Sequence, residues 1–72
     1  MYPNVRAEMV RRGLTQRKMV SDLADRGCKM SLSTFCNKMT GKSEFTFGEL
    51  LAVKAVLETD MPLEMLFARR AS

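Results

Sequence analysis

The segment from Ser31 to Lys42 carries the side chains best suited to recognition chemistry. Successive residues of an α-helix are about 100° apart around its axis, so Phe35 and Met39 share one apolar face. Ser33 and Asn37 then lie on the opposite face. The Asn37 carboxamide donates and accepts hydrogen bonds, and the Ser33 hydroxyl does so with less discrimination. The pattern predicts a helix that is anchored by Phe35 and offers Ser33 and Asn37 to a partner.

The groups that enzymes use for covalent or acid–base chemistry are scarce. The chain contains no histidine, which removes the usual general base and excludes a Cys–His nucleophile. It also lacks a paired-carboxylate motif and a phosphate-binding loop. Cys28 and Cys36 alone cannot supply a four-ligand zinc site within one chain. We therefore expect a protein that is not an enzyme and needs no metal, cofactor or small-molecule ligand.

Basic residues are concentrated in the first part of the chain. Residues 1–43 contain nine Lys or Arg and three Asp or Glu, a net charge of +6. Residues 44–72 contain three basic and five acidic residues, a net charge of −2. A basic region of this kind attracts an anionic partner, and nucleic acid is the first candidate. Charge alone does not distinguish such a binding surface from an ordinary basic surface that contacts only solvent.

Length and composition limit the class of protein. The 72 residues predict one domain that covers residues 1–72, and an apolar content of 46% separates it from disordered chains. No apolar run approaches the roughly 20 residues needed to cross a bilayer. The first residues lack the apolar stretch of a signal peptide. We therefore expect a cytoplasmic protein without membrane contact, in which Cys28 and Cys36 are reduced.

Capping and turn residues divide the chain into five predicted helices. The first is predicted to extend from about Val5 to Arg12, the second from the residue after Thr15 to about Arg26, and the third from the residue after Ser31 to about Met39. The fourth is predicted to begin at the capping box of Thr46 and Glu49, and the fifth at Pro62. The expected N-caps of the first three are Asn4, Thr15 and Ser31. Glycines that accept left-handed backbone are expected to end the same helices at Gly13, Gly27 and Gly41. Residues 69–72 are expected to fray.

Apolar spacing assigns an inward face to each predicted helix. In chain order these faces consist of Val5, Met9 and Val10; Met19, Val20, Leu23 and Ala24; Leu32, Phe35 and Met39; Leu50, Val53, Val56 and Leu57; and Leu63, Leu66 and Phe67. Phe45, in the link before the fourth helix, is expected to enter the core. No segment alternates with a period of two residues, so the chain predicts an all-α protein that folds as a compact orthogonal bundle of five helices.

Four stretches, in this order, resemble the phage repressor/Cro family of helix-turn-helix proteins, the XRE family. They are GLTQ at 13–16, SLSTFCNKMTGK at 31–42, SEFTFGEL at 43–50 and MPLEMLF at 61–67. The likeness extends from Asn4 to Phe67. It implies a lambda-repressor-like domain with its helix-turn-helix motif at roughly residues 15–41. It also implies a transcriptional regulator, a repressor-like protein of phage or prophage origin that binds specific sequences of double-stranded DNA.

The link between the second and third predicted helices departs from the family pattern. Members of the family usually connect these helices by a tight turn, whereas this chain carries about five additional residues before Ser31. Our hypothesis assigns roughly one additional turn, 3.6 residues, to the second helix. The remainder lengthens the connection, which makes residues 25–30 an altered turn.

In helix-turn-helix proteins the second helix of the motif enters the major groove and the first lies across the DNA backbone. The resemblance therefore implies that helix 32–39 reads base edges through Ser33 and Asn37, whose amide suits the edge of adenine. Leu32 has two interpretations. As the first helical residue it reaches a thymine methyl group, while its angular position near Met39 favours packing against the protein.

The resemblance also assigns contacts to the DNA backbone. Gln16 matches the family position that clamps the backbone. Further expected partners of phosphate are Arg17, Thr34, Lys38, Lys42 and Ser43. For any single Lys or Arg, simple solvation is an equally open interpretation. Arg11 and Arg12 are expected to offset a helix dipole instead, and Cys36 to be a tolerated small residue at the rim of the groove.

One small domain gives weak specificity, and family members commonly bind two-fold symmetric operators as dimers. We therefore expect a homodimer, at least on DNA, with a surface around the fifth helix that includes Met61, Leu63 and Met65. An alternative function is that of an interaction module of the same fold, an antitoxin or antirepressor that binds protein. RNA binding is less favoured, because RNA readers stack bases on exposed aromatic side chains, and Tyr2 is the only tyrosine.

Overall fold

Residues 2–68 are described by a computed structural model, in which they form five helices and no strand. The helices are α1 (Pro3–Arg11), α2 (Gln16–Asp25), α3 (Leu32–Thr40), α4 (Phe47–Leu57) and α5 (Leu63–Leu66). The radius of gyration of their Cα atoms, 11.0 Å, matches the ~11 Å of a compact chain of this length. The predicted all-α class is confirmed. The fraying expected for residues 69–72 concerns positions outside the described residues.

Local sequence signals account for three of the helix starts. Thr15 and Ser31 are N-caps as predicted, because each side chain accepts a hydrogen bond from the backbone N–H three residues later at 3.1 Å. Thr46 and Glu49 form the predicted capping box. The Thr46 hydroxyl accepts from the Glu49 N–H at 3.2 Å, and the Glu49 carboxylate accepts from the Thr46 N–H at 2.8 Å.

The start of α1 differs from the prediction. Asn4 is not the N-cap, since α1 begins at Pro3 and Tyr2 occupies the cap position, from which no side chain caps the helix. The fixed φ of proline suits the first turn of a helix, and its missing N–H has no partner to lose there. Asn4 instead donates from Nδ2 to the Met65 carbonyl at 2.7 Å. The Asn4 side chain therefore ties α1 to α5.

The core combines residues from all five helices. Its buried members are Tyr2, Val5, Met9, Met19, Leu23, Phe35, Met39, Val53, Val56, Leu57 and Leu66. Val10 was wrongly assigned to the inward face, because it is 75% exposed and lies one helical step of about 100° beyond Met9. Leu50 and Leu63 are half-buried.

Phe45 packs against the core, as expected, and joins an aromatic cluster. Its ring centroid lies 5.5 Å from that of Tyr2, 5.6 Å from Phe67 and 6.3 Å from Phe35. Tilted and edge-to-face pairs at these distances are favourable. The cluster connects α3 with both ends of the described chain.

The long connection between α2 and α3 is present. It spans residues 26–31, and its first part turns back on α2, where the Cys28 N–H donates to the Leu23 carbonyl at 2.9 Å. Gly27 has a φ of 83°, a left-handed value that glycine adopts without a steric penalty. Cys28 and Met30 are half-buried against the core. The connection is thus a packed segment and not a tight turn.

Candidate nucleic-acid interface

Helix α3 packs against the core on one side and has free hydrogen-bonding groups on the opposite side. Phe35 is fully buried and Met39 nearly so, and the helix packs against α2. On the other side Ser33 is exposed and Asn37 half-buried. Among residues 2–68, neither the Ser33 hydroxyl nor the Asn37 carboxamide has a hydrogen-bond partner. Both predicted base readers are therefore available to an external ligand.

Leu32 lies at the first position of α3 and is half-buried. It is absent from the core cluster and from the partly buried apolar residues that pack on that cluster within the described chain. The protein covers part of this half-buried side chain, and both interpretations of Leu32 remain predictions. Part of the Leu32 side chain remains available beside Ser33.

The turn after α3 holds Lys42 and Ser43 in a fixed backbone position. The Asn37 carbonyl accepts hydrogen bonds from the backbone N–H of Lys42 at 2.9 Å and of Ser43 at 3.3 Å. This closure requires the left-handed conformation of Gly41, whose φ is 90°. The side chains of Lys42 and Ser43 are exposed. Two predicted phosphate contacts thus follow directly after the proposed reading helix.

Gln16 links the start of α2 to the middle of α3. The Cys36 thiol donates a hydrogen bond to Gln16 Oε1 at 2.8 Å, in a partly buried position. This contact between Cys36 and Gln16 was not predicted from the sequence. The amide nitrogen of Gln16 has no partner among residues 2–68. The contact places a donor group of α2 beside the proposed reading helix.

The Lys38 side chain interacts with other residues of the protein itself. Its ammonium lies 2.6 Å from Glu49 Oε1, and the two side chains are only 11% and 20% exposed. The same ammonium lies 5.9 Å from the centroid of the Phe45 ring, a cation–π geometry. The structure therefore does not bring Lys38 to the solvent face of α3 with Lys42, and we omit it from the proposed phosphate contacts. This pair was not predicted from the sequence, because its partners are 11 residues apart on different helices.

The remaining cations divide into paired and unpaired groups. Arg11 binds Glu8 at 2.7 Å, Arg12 binds Glu58 at 2.9 Å and Lys18 binds Asp22 at 2.9 Å. Within the described part of the chain, the cations without a carboxylate partner are Arg6, Arg17, Arg26, Lys29, Lys42 and Lys54. Arg17 and Lys42, both predicted contacts, belong to the unpaired group. Thr34 is half-buried, and its hydroxyl accepts from Ser31 at 2.9 Å.

The thiol of Cys28 lies in the connection between α2 and α3. Burial raises its pKa, the Glu49 carboxylate adds to the increase, and Lys38 opposes it. A raised pKa keeps the thiol protonated and a poor nucleophile. Among residues 2–68, no group of three His, Cys, Asp or Glu residues is arranged to hold a metal ion.

Comparisons with known proteins yield no relatives: no family model matches the chain, and no curated protein or solved structure matches it. The lengths and compositions of the helices in residues 2–68 do not suit any of them for crossing a membrane.

Proposed function

We propose that this protein is a repressor/Cro-like transcriptional regulator of phage or prophage type that binds specific double-stranded DNA in the cytoplasm. In this proposal its helices form a lambda-repressor-like orthogonal bundle, it acts by binding and not by catalysis, and α3 enters the major groove. The observation that most strongly supports this proposal is the outer face of α3, where Ser33 and Asn37 have free hydrogen-bonding groups beside the unpaired Lys42.

The charges around α3 support a polyanionic partner. Four cations of the described chain are neutralised by carboxylates, but Arg17 and Lys42 are not. These two residues lie at the start of α2 and just after α3. Cations and amide donors at such positions orient a protein on the DNA backbone, while side chains such as Asn37 discriminate between base pairs.

The dimensions of the molecule are compatible with two copies on adjacent half-sites. The described chain measures 32 × 26 × 21 Å, and half-sites one helical turn apart are separated by ~34 Å. Two copies therefore fit side by side on one face of the duplex. On α5, Met65 is 53% exposed, whereas Met61 packs against the core. We propose that Met65 is the centre of the homodimer contact.

The first prediction separates base reading from phosphate binding. We expect Asn37→Ala to reduce the preference for the selected site over other sequences, by about 1–3 kcal/mol, because an unpaired base edge remains. Lys42→Ala should instead weaken binding to all duplexes alike and make the slope of log K against log salt less steep by about 0.9. Random-site selection followed by gel-shift titration measures both effects.

These two variants control for each other, since both side chains are free of internal hydrogen bonds and neither change should unfold the protein. Identical effects of the two substitutions on sequence preference and salt slope would contradict the assigned roles. Unchanged binding in both variants would contradict α3 as the reading helix.

The second prediction concerns the dimer. Met65→Gln should abolish cooperative binding to a two-fold symmetric site and leave the affinity for an isolated half-site unchanged. The matched control is Leu51→Gln, which alters an exposed apolar residue of α4. Sedimentation and gel shift on full and half sites provide the measurement. Loss of cooperativity in the Leu51 variant alone would move the contact to α4, and one-to-one binding on a palindrome would contradict the dimer.

An apolar surface on α4 favours a second candidate function, a protein-interaction module. Phe47 is 68% exposed and Leu51 46% exposed, one helical turn apart on the same face. Exposed apolar patches often mark contact sites for proteins. If this function is correct, Ser33→Ala and Asn37→Ala will leave the biological activity unchanged, whereas Phe47→Ser will abolish it.

A further inference from the structure

A cleft of about 320 Å³ opens where α1, the start of α2 and the end of α3 meet. Its floor includes Met9 and Met39, which are both buried in the core. Polar side chains from three different segments line the more exposed parts, namely those of Arg6, Thr15, Gln16 and Thr40. The cleft therefore combines an apolar floor with hydrogen-bond donors at its margin.

The electrostatics of the cleft favour an anion. Among the described residues that line the cleft, Arg6 is the only charged one, and none carries a carboxylate. The Arg6 side chain is exposed and has no carboxylate partner among residues 2–68. On the same helix, Arg11 is held by Glu8. A guanidinium with its donors free matches the geometry of a phosphate group.

The cleft is continuous with the proposed DNA surface through Gln16. This residue lines the cleft and also accepts the hydrogen bond from Cys36 of α3. A DNA backbone that Gln16 contacts beside α3 therefore passes the mouth of the cleft. The hydroxyl of Thr15, which already accepts from the Lys18 N–H, retains its proton as a further donor to that backbone.

We infer that this cleft receives one phosphate–deoxyribose unit of the DNA backbone that flanks the site read by α3. Arg6 and Gln16 bind the phosphate from α1 and α2, and the methionine floor contacts the apolar edge of the sugar. The inference rests on the proposed function and adds α1 to the DNA-binding surface. It makes Arg6 a backbone-binding residue that contributes affinity and no sequence preference.

The test compares Arg6→Gln with Arg11→Gln in the full chain. The two substitutions remove the same charge from exposed positions of one helix, but Arg11 lies outside the cleft lining. We expect Arg6→Gln to weaken binding about tenfold or more, as for loss of a charge-assisted hydrogen bond. It should also make the salt slope less steep by about 0.9. Arg11→Gln should change neither quantity appreciably, and thermal unfolding should show that both variants fold.

Phosphate ethylation interference gives a readout that a merely structural role of Arg6 would not alter. With the wild-type protein, ethylation of one phosphate that flanks the site should block binding. With Arg6→Gln, binding should lose sensitivity at that phosphate and keep it at the others. The same comparison distinguishes a backbone phosphate from a free phosphate ion, because an ion would leave no position-specific footprint.

The outcomes separate this inference from the proposed function. Wild-type affinity, slope and interference pattern in Arg6→Gln, together with weakened binding in Lys42→Ala, would overturn the cleft as a backbone site and leave DNA binding intact. Equal losses in Arg6→Gln and Arg11→Gln would also overturn it, because they would reflect net charge alone. Absence of salt-sensitive binding in the wild-type protein would contradict both proposals.

Discussion

Phe35→Ala is expected to lower the free energy of unfolding by about 3–5 kcal/mol, enough to populate the unfolded state strongly. Phe35 is fully buried, and its ring packs edge-on against that of Phe45. The substitution leaves a cavity between α3 and the aromatic cluster. A chain of this size has a total stability of only about 4–10 kcal/mol, so one such cavity removes a large part of it.

Phe47→Ala is the matched control, because it removes the same ring from a position that is 68% exposed. Its effect on stability should stay within about 0.5 kcal/mol. Urea and thermal unfolding followed by circular dichroism measure both variants. Equal losses would show that Phe35 does not anchor α3. Phe35→Leu, a milder change, keeps the protein folded and allows the consequence for DNA binding to be measured.

Glu49→Gln is expected to lower the free energy of unfolding by about 2–3 kcal/mol. A glutamine still accepts the hydrogen bond from the Thr46 N–H, because a capping box takes Glu or Gln at this position, so the expected loss is that of the ion pair with Lys38. Loss of one partner of a fully buried ion pair costs about 3–5 kcal/mol, and the partial exposure of Lys38 and Glu49 reduces that cost. The midpoint of thermal unfolding should fall by roughly 8–24 °C in a domain of this length.

The effect of Glu49 on stability should depend on pH. Burial opposes ionisation of Glu49, but hydrogen bonds from Lys38 and Thr46 outweigh it, and the pKa of Glu49 lies below its ordinary value. The unfolded state therefore binds this proton more readily than the folded state. The stabilisation is complete above the ordinary glutamate pKa of about 4.3 and is lost as pH falls through the lower folded value. The difference between wild type and Glu49→Gln should shrink over that range, and a constant difference would contradict the assignment.

Lys38→Met supplies the second arm of this test. It removes the ammonium and keeps much of the apolar stem that packs near Phe45. The double variant with Glu49→Gln should lose less stability than the two single losses added together, because both remove one interaction. Lys38→Met should also leave the salt slope of DNA binding unchanged. A slope that becomes less steep, as expected for Lys42→Ala, would restore Lys38 to the phosphate contacts.

Features that depend on neighbouring residues could be predicted from the sequence. The capping box of Thr46 and Glu49, the caps Thr15 and Ser31, and the buried spacing of Phe35 with Met39 all operate within one helical turn. For the same reason the opposite face of α3 was correctly expected to be accessible at Ser33. Capping preferences and periodicity are local properties of the chain.

Features that depend on packing between helices could not be predicted in the same way. Asn4 is of a residue type that favours N-cap positions, but its side chain donates to the Met65 carbonyl of α5 instead. Glu49 was recognised as part of a capping box, and nothing in the sequence assigned Lys38 to the same carboxylate. The cleft beside Arg6 likewise exists only because three helices meet there. Tertiary contacts decide which side chains remain free for a partner.

The most direct test of DNA recognition is a titration of the wild-type protein with two duplexes at several salt concentrations. One duplex is obtained by random-site selection, and the other has a scrambled sequence. We expect log K to fall linearly with log salt, with a slope of about −3 for each protein chain because Arg6, Arg17 and Lys42 are assigned to phosphates. The selected duplex should bind at least ~10³-fold more tightly than the scrambled one. Absence of an enriched sequence, or association that does not respond to salt, would contradict the assignment of α3 as a DNA-reading helix.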